Sequence, residues 1–531
     1  MPTERDAARQ PQFLDFGKQN AIFDNVHGFI QLTDIEIKLI NTQEFQRLRN
    51  IRQLGLLNYI FPGAVHTRFN HSIGVLHIVD KMVASLQQKG HLHDGEENRQ
   101  ILRLAGLLHD IGHYPWSHVT EHVVINNLRK TIRSFPTDDD TIIVTGSLEG
   151  GLSQTALPNQ GKKELLQSSE SHHINKSFHE PRNQSLDFAH HERIASLVIE
   201  KTEIKDILSG RYSPEEIKKI SQIIAGTTPS IEKSLIHSEL DADRFDYLLR
   251  DSKQTGVTYG LFDLDQIIRN LDYSEDAPEG TSGFFIRKKG KKAVEDYLLA
   301  RYFLYSTVIY QKTSIGFHKM ANIVYEGLLE RGEIESYFDI LGFFDDGGNI
   351  EDFYNYNDLT IIQKIQDVSK GNITLENGGE YNRDMNLIKD CCDKIITRTP
   401  LKLVMEKQRI VNKTDTATQF DNYVKEPAVI NEVVRLAGIE KYWYIPSEIK
   451  SSITNLSPLI PIDGNDINPR DKEEGILIGN EKNEPILVVT DDSLIINQLA
   501  DSSLKINAIY TKNDAYKGKI LDAIEQYRTA G

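Results

Sequence analysis

The stretch 102–122, LRLAGLLHDIGHYPWSHVTEH, constrains this chain more than any other. It starts as an apolar helical run in which Leu102, Leu104, Ala105, Leu107 and Leu108 lead into His109 and Asp110. His113, His118 and His122 follow, with Glu121 between the last two. His109 and His113 are four residues apart and on a helix would share a face. Gly112 and Pro115 are expected to end that helix, and Ser117 to cap the next one. The expected product is a helix–turn–helix corner with imidazoles and carboxylates at its elbow. Core packing gives no reason to set so many titratable groups beside Leu107 and Leu108. Metal ligation does, because imidazole and carboxylate together suit a divalent transition metal.

With 531 residues the chain is too long for one core, and two or three domains are expected. Its formal net charge of -16 weighs against a role in coating nucleic acid, though not against a local basic pocket for a phosphorylated ligand. The 2 cysteines, Cys391 and Cys392, are adjacent and poorly placed to pair, which points to a reducing compartment. The opening residues MPTERDAARQPQF hold no apolar signal core, and no run is long enough to span a bilayer. A cytoplasmic protein with no membrane partner is the resulting expectation. The sequence has no internal repeat and no phosphate-binding glycine loop of the P-loop or dinucleotide type.

Periodicity near 3.6 predicts helices over residues 35–54, 71–86, 190–200, 213–224, 231–251 and 291–330. A short strand and turn are expected at 20–28 and a strand at 284–289. Residues 134–186 are rich in Ser, Asp, Gly, Asn, Gln and Pro and read as an insertion or surface flap, with Ile142-Ile143-Val144 as a short strand. Residues 331–445 read as a helical extension with a polar linker at 369–383. Residues 446–531 alternate apolar strands with helices at 493–500 and 515–528. The expected architecture is mainly α: a helical core over 1–330, the helical extension, and a small α/β part from 446 onward.

The candidate metal ligands are His71, His109, Asp110 and Asp243, each in or at the end of a predicted helix with an apolar face. Side chains projecting inward from facing helices can build such a cage, and two His with two Asp leave coordination positions open for chemistry. Other polar residues take plainer readings. His27 and His66 are expected to stabilise turns, and His122 to be a surface or supporting residue. Arg47, Arg49 and Arg52 read equally well as solvated charges or as phosphate or interface contacts. The aromatics at 302–310 read as core, His172 and His173 as unspecific, and Asp491-Asp492 as a helix cap.

The text around these residues resembles one family. Asp24-Asn-Val-His27-Gly28, Phe45-Gln-Arg47-Leu-Arg49, Gln53-Leu54-Gly55 and Phe61-Pro-Gly63 are part of the resemblance. Arg68-Phe-Asn-His71-Ser-Ile-Gly74, Leu108-His-Asp-Ile-Gly-His113, Ser117-His118 and Asp241-Ala-Asp-Arg-Phe-Asp-Tyr247-Leu-Leu-Arg250-Asp251 complete it. Together they are similar to the deoxynucleoside triphosphate triphosphohydrolase branch of the HD-domain metal-dependent phosphohydrolases. The resemblance covers about residues 20–320. It implies an HD-domain helical bundle and cleavage of a dNTP to deoxynucleoside and triphosphate. It also implies that His71, His109, Asp110 and Asp243 hold a divalent transition metal (Fe, Mn, Zn or Co), with Mg as a candidate second ion. His118 would donate a proton to the leaving oxygen, oriented by Glu121, while His113 and His191 would contact phosphate. Arg68, Arg244 and Lys312 would clamp phosphates. Gln53 and Leu54 would read the sugar, with Tyr247 and Asp251 at its edge.

Three positions depart from the family pattern. Glu121 stands where Asp is usual, Ile309 where Tyr is expected, and Gln311 where His is expected. The departures at 309 and 311 keep a phosphodiesterase or nuclease acting on single-stranded nucleic acid in view, with a nucleotide-binding sensor as a third reading. The expected partners are a nucleotide substrate and further copies of the chain, as dimer, tetramer or hexamer. Nucleic acid is a less favoured partner. The HHExxDGxGYP signature of cyclic-dinucleotide enzymes is absent.

Overall fold

The computed structural model describes residues 20–92, 95–134, 141–144, 178–181, 190–228, 231–277, 282–373, 384–412, 418–452, 476–488, 493–494 and 502–530. The fold is mainly α. The helices that shape the site are α1 (Asp34–Ile40), α2 (Gln43–Arg47), α3 (Arg68–Gln88), α4 (Glu96–Leu108), α5 (His118–Ser134), α6 (His191–Lys201) and α7 (Ala242–Thr255). They are followed by α8 (Lys291–Leu304), α9 (Lys312–Leu329), α10 (Ile350–Asn355) and α11 (Asp358–Lys370).

α3 runs through the centre. Its apolar positions Ile73, Val75, Leu76, Ile78, Val79, Met82, Val83 and Leu86 are all buried, and α4 and α7 pack against it. Each fully buried side chain of this size contributes about 1.5–3 kcal/mol before entropy is counted. The hairpin of β1 (Ala21–Asp24) and β2 (Gly28–Gln31) precedes this core, with Phe23 opposite Phe29. The expected strand at 20–28 is therefore two short strands.

Several predicted helices are divided, each for a local reason. The stretch 35–54 breaks after α1 because Thr42 caps a second helix, accepting from the Phe45 backbone N–H. The stretch 231–251 divides because Asp241 caps α7. Its carboxylate accepts from the backbone N–H of Arg244 at 2.7 Å and of Ser238 at 2.9 Å. Between α8 and α9 the chain widens into a π-turn at Tyr305–Ile309. The expected strand at 284–289 stops at Ile286 and gives way to a 3-10 turn at Lys288–Gly290.

The C-terminal part forms two sheets. β5 (Leu271–Tyr273) and β6 (Phe284–Ile286) from the core join β9 (Leu477–Gly479) and β10 (Pro485–Leu487), in the order β10-β9-β6-β5. β6 and β9 run parallel. β7 (Lys402–Asn412), β8 (Ile445–Ser452) and β11 (Ser502–Thr511) form a second sheet with β11 in the middle. β7 is a strand where only helix and loop were expected. A last helix, Asp514–Ala530, packs on this sheet over a small second core that includes Val404, Tyr423, Val433 and Ile524.

β3 (Thr141–Val144) and β4 (Phe178–Pro181) pair antiparallel, so the short strand read at Ile142-Ile143-Val144 is present. Most of the 134–186 insertion, His172-His173, most of the 369–383 linker, Asp491-Asp492 and most of the expected helix at 493–500 lie outside the described residues. Among the described residues, no helix is long and apolar enough to cross a membrane.

Candidate metal centre and active site

The corner differs from the expected geometry. α4 ends at Leu108, so His109, Asp110 and His113 stand on a turn and not on one helix face. The carbonyls that a longer helix would use are taken by side chains. His109 Nδ1 donates to Gly106 O at 2.8 Å. Arg47 Nη2 donates to His113 O at 2.8 Å, and Nη1 reaches Ile111 O at 3.5 Å. Arg47 is thus a buried clamp rather than a solvated charge. Ser117 precedes α5, but its hydroxyl does not cap the helix. It donates to Arg52 O and accepts from Arg68 Nε, both at 2.9 Å.

His71, His109, Asp110 and Asp243 converge from α3, the corner and α7. His71 Nε2 lies 2.9 Å from Asp243 Oδ1 and 3.6 Å from Asp110 Oδ2. His109 Nε2 lies 3.4 Å from Asp110 Oδ1 and 4.0 Å from Asp243 Oδ1. His71 donates from Nδ1 to Asp246 at 2.8 Å, as His109 does to a carbonyl. Each Nε2 therefore carries a lone pair, buried and without a well-aligned hydrogen bond, and each faces carboxylate oxygens. Lone pairs set against anionic oxygens call for a cation, so His71, His109 and Asp110 fit a divalent metal, with Asp243 Oδ1 beside both imidazoles. The electrostatics agree. Burial alone would lower the His71 pKa, but Asp243 and Asp246 together raise it to about 9. The anionic oxygens thus favour positive charge at this point of the site. Burial would raise the Asp110 and Asp243 carboxyls; Arg68 with the histidines holds Asp110 well down, and His71 does so for Asp243.

Beside this centre stands a second histidine group. His113 stacks on His191 with ring centroids 4.0 Å apart, and His118 meets His113 edge-on at 4.8 Å. Glu121, buried on α5, organises them. It accepts from His118 Nδ1 at 2.8 Å, from His191 Nδ1 at 3.0 Å and from the His191 backbone N–H at 3.0 Å. His191 Nε2 and His113 Nε2 point back to Asp110 Oδ1 at 3.6 and 3.7 Å. Burial opposes charge on His191, but Glu192 and Glu121 raise its pKa to about 9, so it is cationic at neutral pH. Burial, with Arg68 nearby, pushes His113 well down, and it stays neutral. The His118 side chain is 30% exposed and opens the group to solvent.

The remaining sequence-predicted residues fare differently. Arg68 is in the site, donating to Asp110 Oδ2 at 2.7 Å. Arg244 is tied to carboxylates on its own segment, 2.6 Å from Asp241 and 3.3 Å from Glu239. Gln53 donates its backbone N–H to His66 O, and among the described residues its buried Oε1 has no hydrogen-bond partner. Leu54 adjoins it, half-buried. Asp251 accepts from His66 Nε2 at 2.8 Å, linking α7 to that loop. Tyr247 is buried, its hydroxyl 3.4 Å from that of Tyr305. Lys312 is exposed at the start of α9, and among the described residues no side-chain bond ties it to the histidines. Gln311 caps α9, accepting from the backbone N–H of Thr313 and Ser314.

A supporting network was missed in the sequence. Asp246 takes His71 Nδ1 on one oxygen and His27 Nε2 on the other, the latter at 2.7 Å, and Arg250 spans both. Arg250 also reaches Asp24 at 2.8 Å. This carboxylate behind His71 fixes the ring and its tautomer, as a carboxylate behind a ligand histidine does. His27, expected to steady a turn, instead holds Asp246. The available signal was the spacing 243–246–250, which puts all three on one face of α7. Gly74 is required here, because a Cβ would lie 1.9 Å from Asp246 Oδ1.

The family model described as HD domain matches residues 68–143. The chain carries an HD domain. That match spans α3, α4, the corner and α5, and with them His71, His109 and Asp110. The chain is 32% identical over 312 residues to the Bacillus subtilis protein YwfO, covering 58% of this chain and 55% of that one. It is 29% identical over 236 residues to the deoxynucleoside triphosphate triphosphohydrolase SAMHD1 homolog of Dictyostelium discoideum, covering 44% of this chain and 36% of that protein. The chain spans about half the length of the first curated relatives it matches. A hypothetical protein from Aquifex aeolicus shares the fold over 94% of this chain and 98% of its own, with a TM-score of 0.60 at 22% identity. The fold around the HD domain therefore extends to the C-terminal part.

Proposed function

We propose that this HD-domain chain is a metal-dependent phosphohydrolase that cleaves deoxynucleoside triphosphates to deoxynucleoside and triphosphate. The observation that carries the reading is the pair of buried Nε2 lone pairs of His71 and His109, aimed at Asp110 and Asp243 next to the His118–Glu121 pair. His71, His109, Asp110 and Asp243 would hold the ion. When bound, such an ion supplies a Lewis acid and lowers the pKa of a water to near neutrality.

The rest of the work falls to the chain's own residues. His191, cationic at neutral pH, and Arg68 offer positive charge to phosphate oxygens. Glu121 binds His118 Nδ1, which leaves the opposite nitrogen, Nε2, to hold or release a proton at the leaving oxygen. Glu121 reaches both His118 and His191, so its extra methylene relative to Asp is put to use. Gln53 Oε1, buried and without a partner among the described residues, is a ready acceptor for a sugar hydroxyl. A nucleotide drawn from the cytoplasm and a homo-oligomeric assembly belong to the same reading, the latter checked by light scattering.

One observation favours a second reading. Gln311 is spent on capping α9, Ile309 is buried, and Arg244 is held by two carboxylates. A phosphodiesterase on single-stranded nucleic acid would need fewer contacts to a triphosphate tail. The test offers each dNTP and single-stranded DNA with Mn, Fe, Co or Mg. Triphosphate release from dNTPs supports the first reading, and shortened DNA with intact dNTPs supports the second.

A further inference from the structure

Residues 353–358 lie outside the matched HD residues, yet they grip the corner that carries the site. The Arg47 guanidinium lies 4.2 Å over the Phe353 ring, and its Nε donates to Tyr356 O at 2.9 Å while Nη2 holds His113 O. Asp358, the first residue of α11 and buried, reaches further. Its Oδ1 accepts from the Trp116 backbone N–H at 2.7 Å, and its Oδ2 from the Arg52 backbone N–H at 3.0 Å.

The segments it bridges are unusual. Trp116 and Ser117 are consecutive non-glycine residues at φ 56° and 57°. For L-residues that left-handed conformation is unfavourable, and it persists only where the surroundings impose it. Ser117 Oγ binds Arg52 O and Arg68 Nε, and Arg68 in turn holds Asp110. His118 is the next residue. One carboxylate therefore ties together the loop behind Arg68 and the backbone from which His118 projects.

A carboxylate suits this task because it offers two acceptor oxygens to two N–H donors, whereas an amide offers one. It is also costly here. Among the described ion pairs none includes Asp358, and burying a carboxylate without one is unfavourable. Burial pushes its carboxyl up to about 6 against the pull of the two N–H donors, with Arg52 and Arg47 the cations facing it. A charge serving only the dipole of α11 would not need this environment.

We propose that Asp358 is a positioning residue of the reaction. By bridging the N–H groups of Arg52 and Trp116, it holds the left-handed 116–117 turn that aims His118 into the site. The helical extension is thus part of the catalytic apparatus of this chain.

The kinetic part of the test rests on the hydrolase reading above, and the spectroscopic part does not. In Asp358→Asn, kcat falls roughly 10- to 100-fold, the scale of a small misplacement of a reacting group. KM and metal content stay within about twofold, since Arg68 keeps its own bond to Asp110. In a His118→Gln background the same substitution costs less than about twofold, because the group it positions is gone. Equal losses in the two backgrounds, or no loss in the first, would overturn the proposal. The chain has 2 tryptophans, so Trp443→Phe leaves Trp116 as the sole reporter. Adding Asp358→Asn should shift its emission to the red, and an unchanged spectrum would overturn the proposal even if no substrate is turned over. Should Asp358→Asn not fold, hydrogen exchange on the wild-type chain decides. Slow exchange in peptides spanning Arg52 and Trp116 is expected, and fast exchange at both contradicts the clamp.

Discussion

At the residue scale the site rests on how buried charges are shared out. Asp246 holds His71 from behind while Asp243 faces it in front, so the ring is fixed before any ion arrives. Asp246→Asn keeps the shape and removes the charge. Metal affinity should fall roughly 10- to 100-fold, as read by titration calorimetry, and Arg250 is left with one fewer anion. If His109 is a ligand of the proposed hydrolase, His109→Ala should lower hydrolysis by at least about a hundredfold, with loss of bound metal measured on the same sample. Asp358 gives a stability prediction with a definite sign. Its folded pKa of about 6 exceeds the ordinary 3.8. Its contribution is thus present at low pH and lost as pH rises through 6. Compared with Asp358→Asn, wild type should lose about 1 kcal/mol of stability between pH 5 and pH 8, measured by denaturant unfolding at each pH. A difference independent of pH would contradict the raised pKa.

At the scale of elements, the corner depends on a close approach of α6. A Cβ on Gly112 would lie 2.2 Å from His191 O and 2.3 Å from Ala195 N, both backbone atoms that cannot swing away. Gly112→Ala must push α6 and its His191 outward. A cost of about 1–3 kcal/mol in stability is expected, together with a drop in kcat larger than any drop in metal content. The sequence pattern carried most helices here, because Ile73 to Leu86 and Leu102 to Leu108 repeat at helical spacing. It failed where polar side chains override periodicity. The Thr42 and Asp241 caps divide two runs that look continuous, and Arg47 and His109 take carbonyls that would extend α4. β7 escaped notice because a bulge opposite Ile509 and Tyr510 shifts its register, and charges at Lys407 and Arg409 interrupt the alternation.

At the scale of the whole molecule, the metal should link folding to the site. If the ion binds only the folded chain, a hundredfold excess over Kd adds about 2.7 kcal/mol. A Tm rise with Mn, reversed by a chelator and absent in His109→Ala, is expected from thermal unfolding. The candidate ligand set was legible in the sequence because His71, His109-Asp110 and Asp243 sit in recognisable local text, and the structure brings these four together. Their supports were not, because each is a lone residue that meets its partner across a long stretch of chain. His27 meets Asp246 219 residues away, and Asp358 meets Trp116 242 residues away. A lone Asp at the start of a helix reads as a dipole partner, and nothing local marks it as a clamp. The most direct test of the central claim is product analysis by chromatography. Purified wild-type chain would be loaded with Mn or Fe without oxygen and given each dNTP. Deoxynucleoside and inorganic triphosphate are expected in equal amounts, and both are lost in Asp110→Ala. Intact dNTPs under every metal, or release of pyrophosphate or single phosphate instead, would contradict the claim.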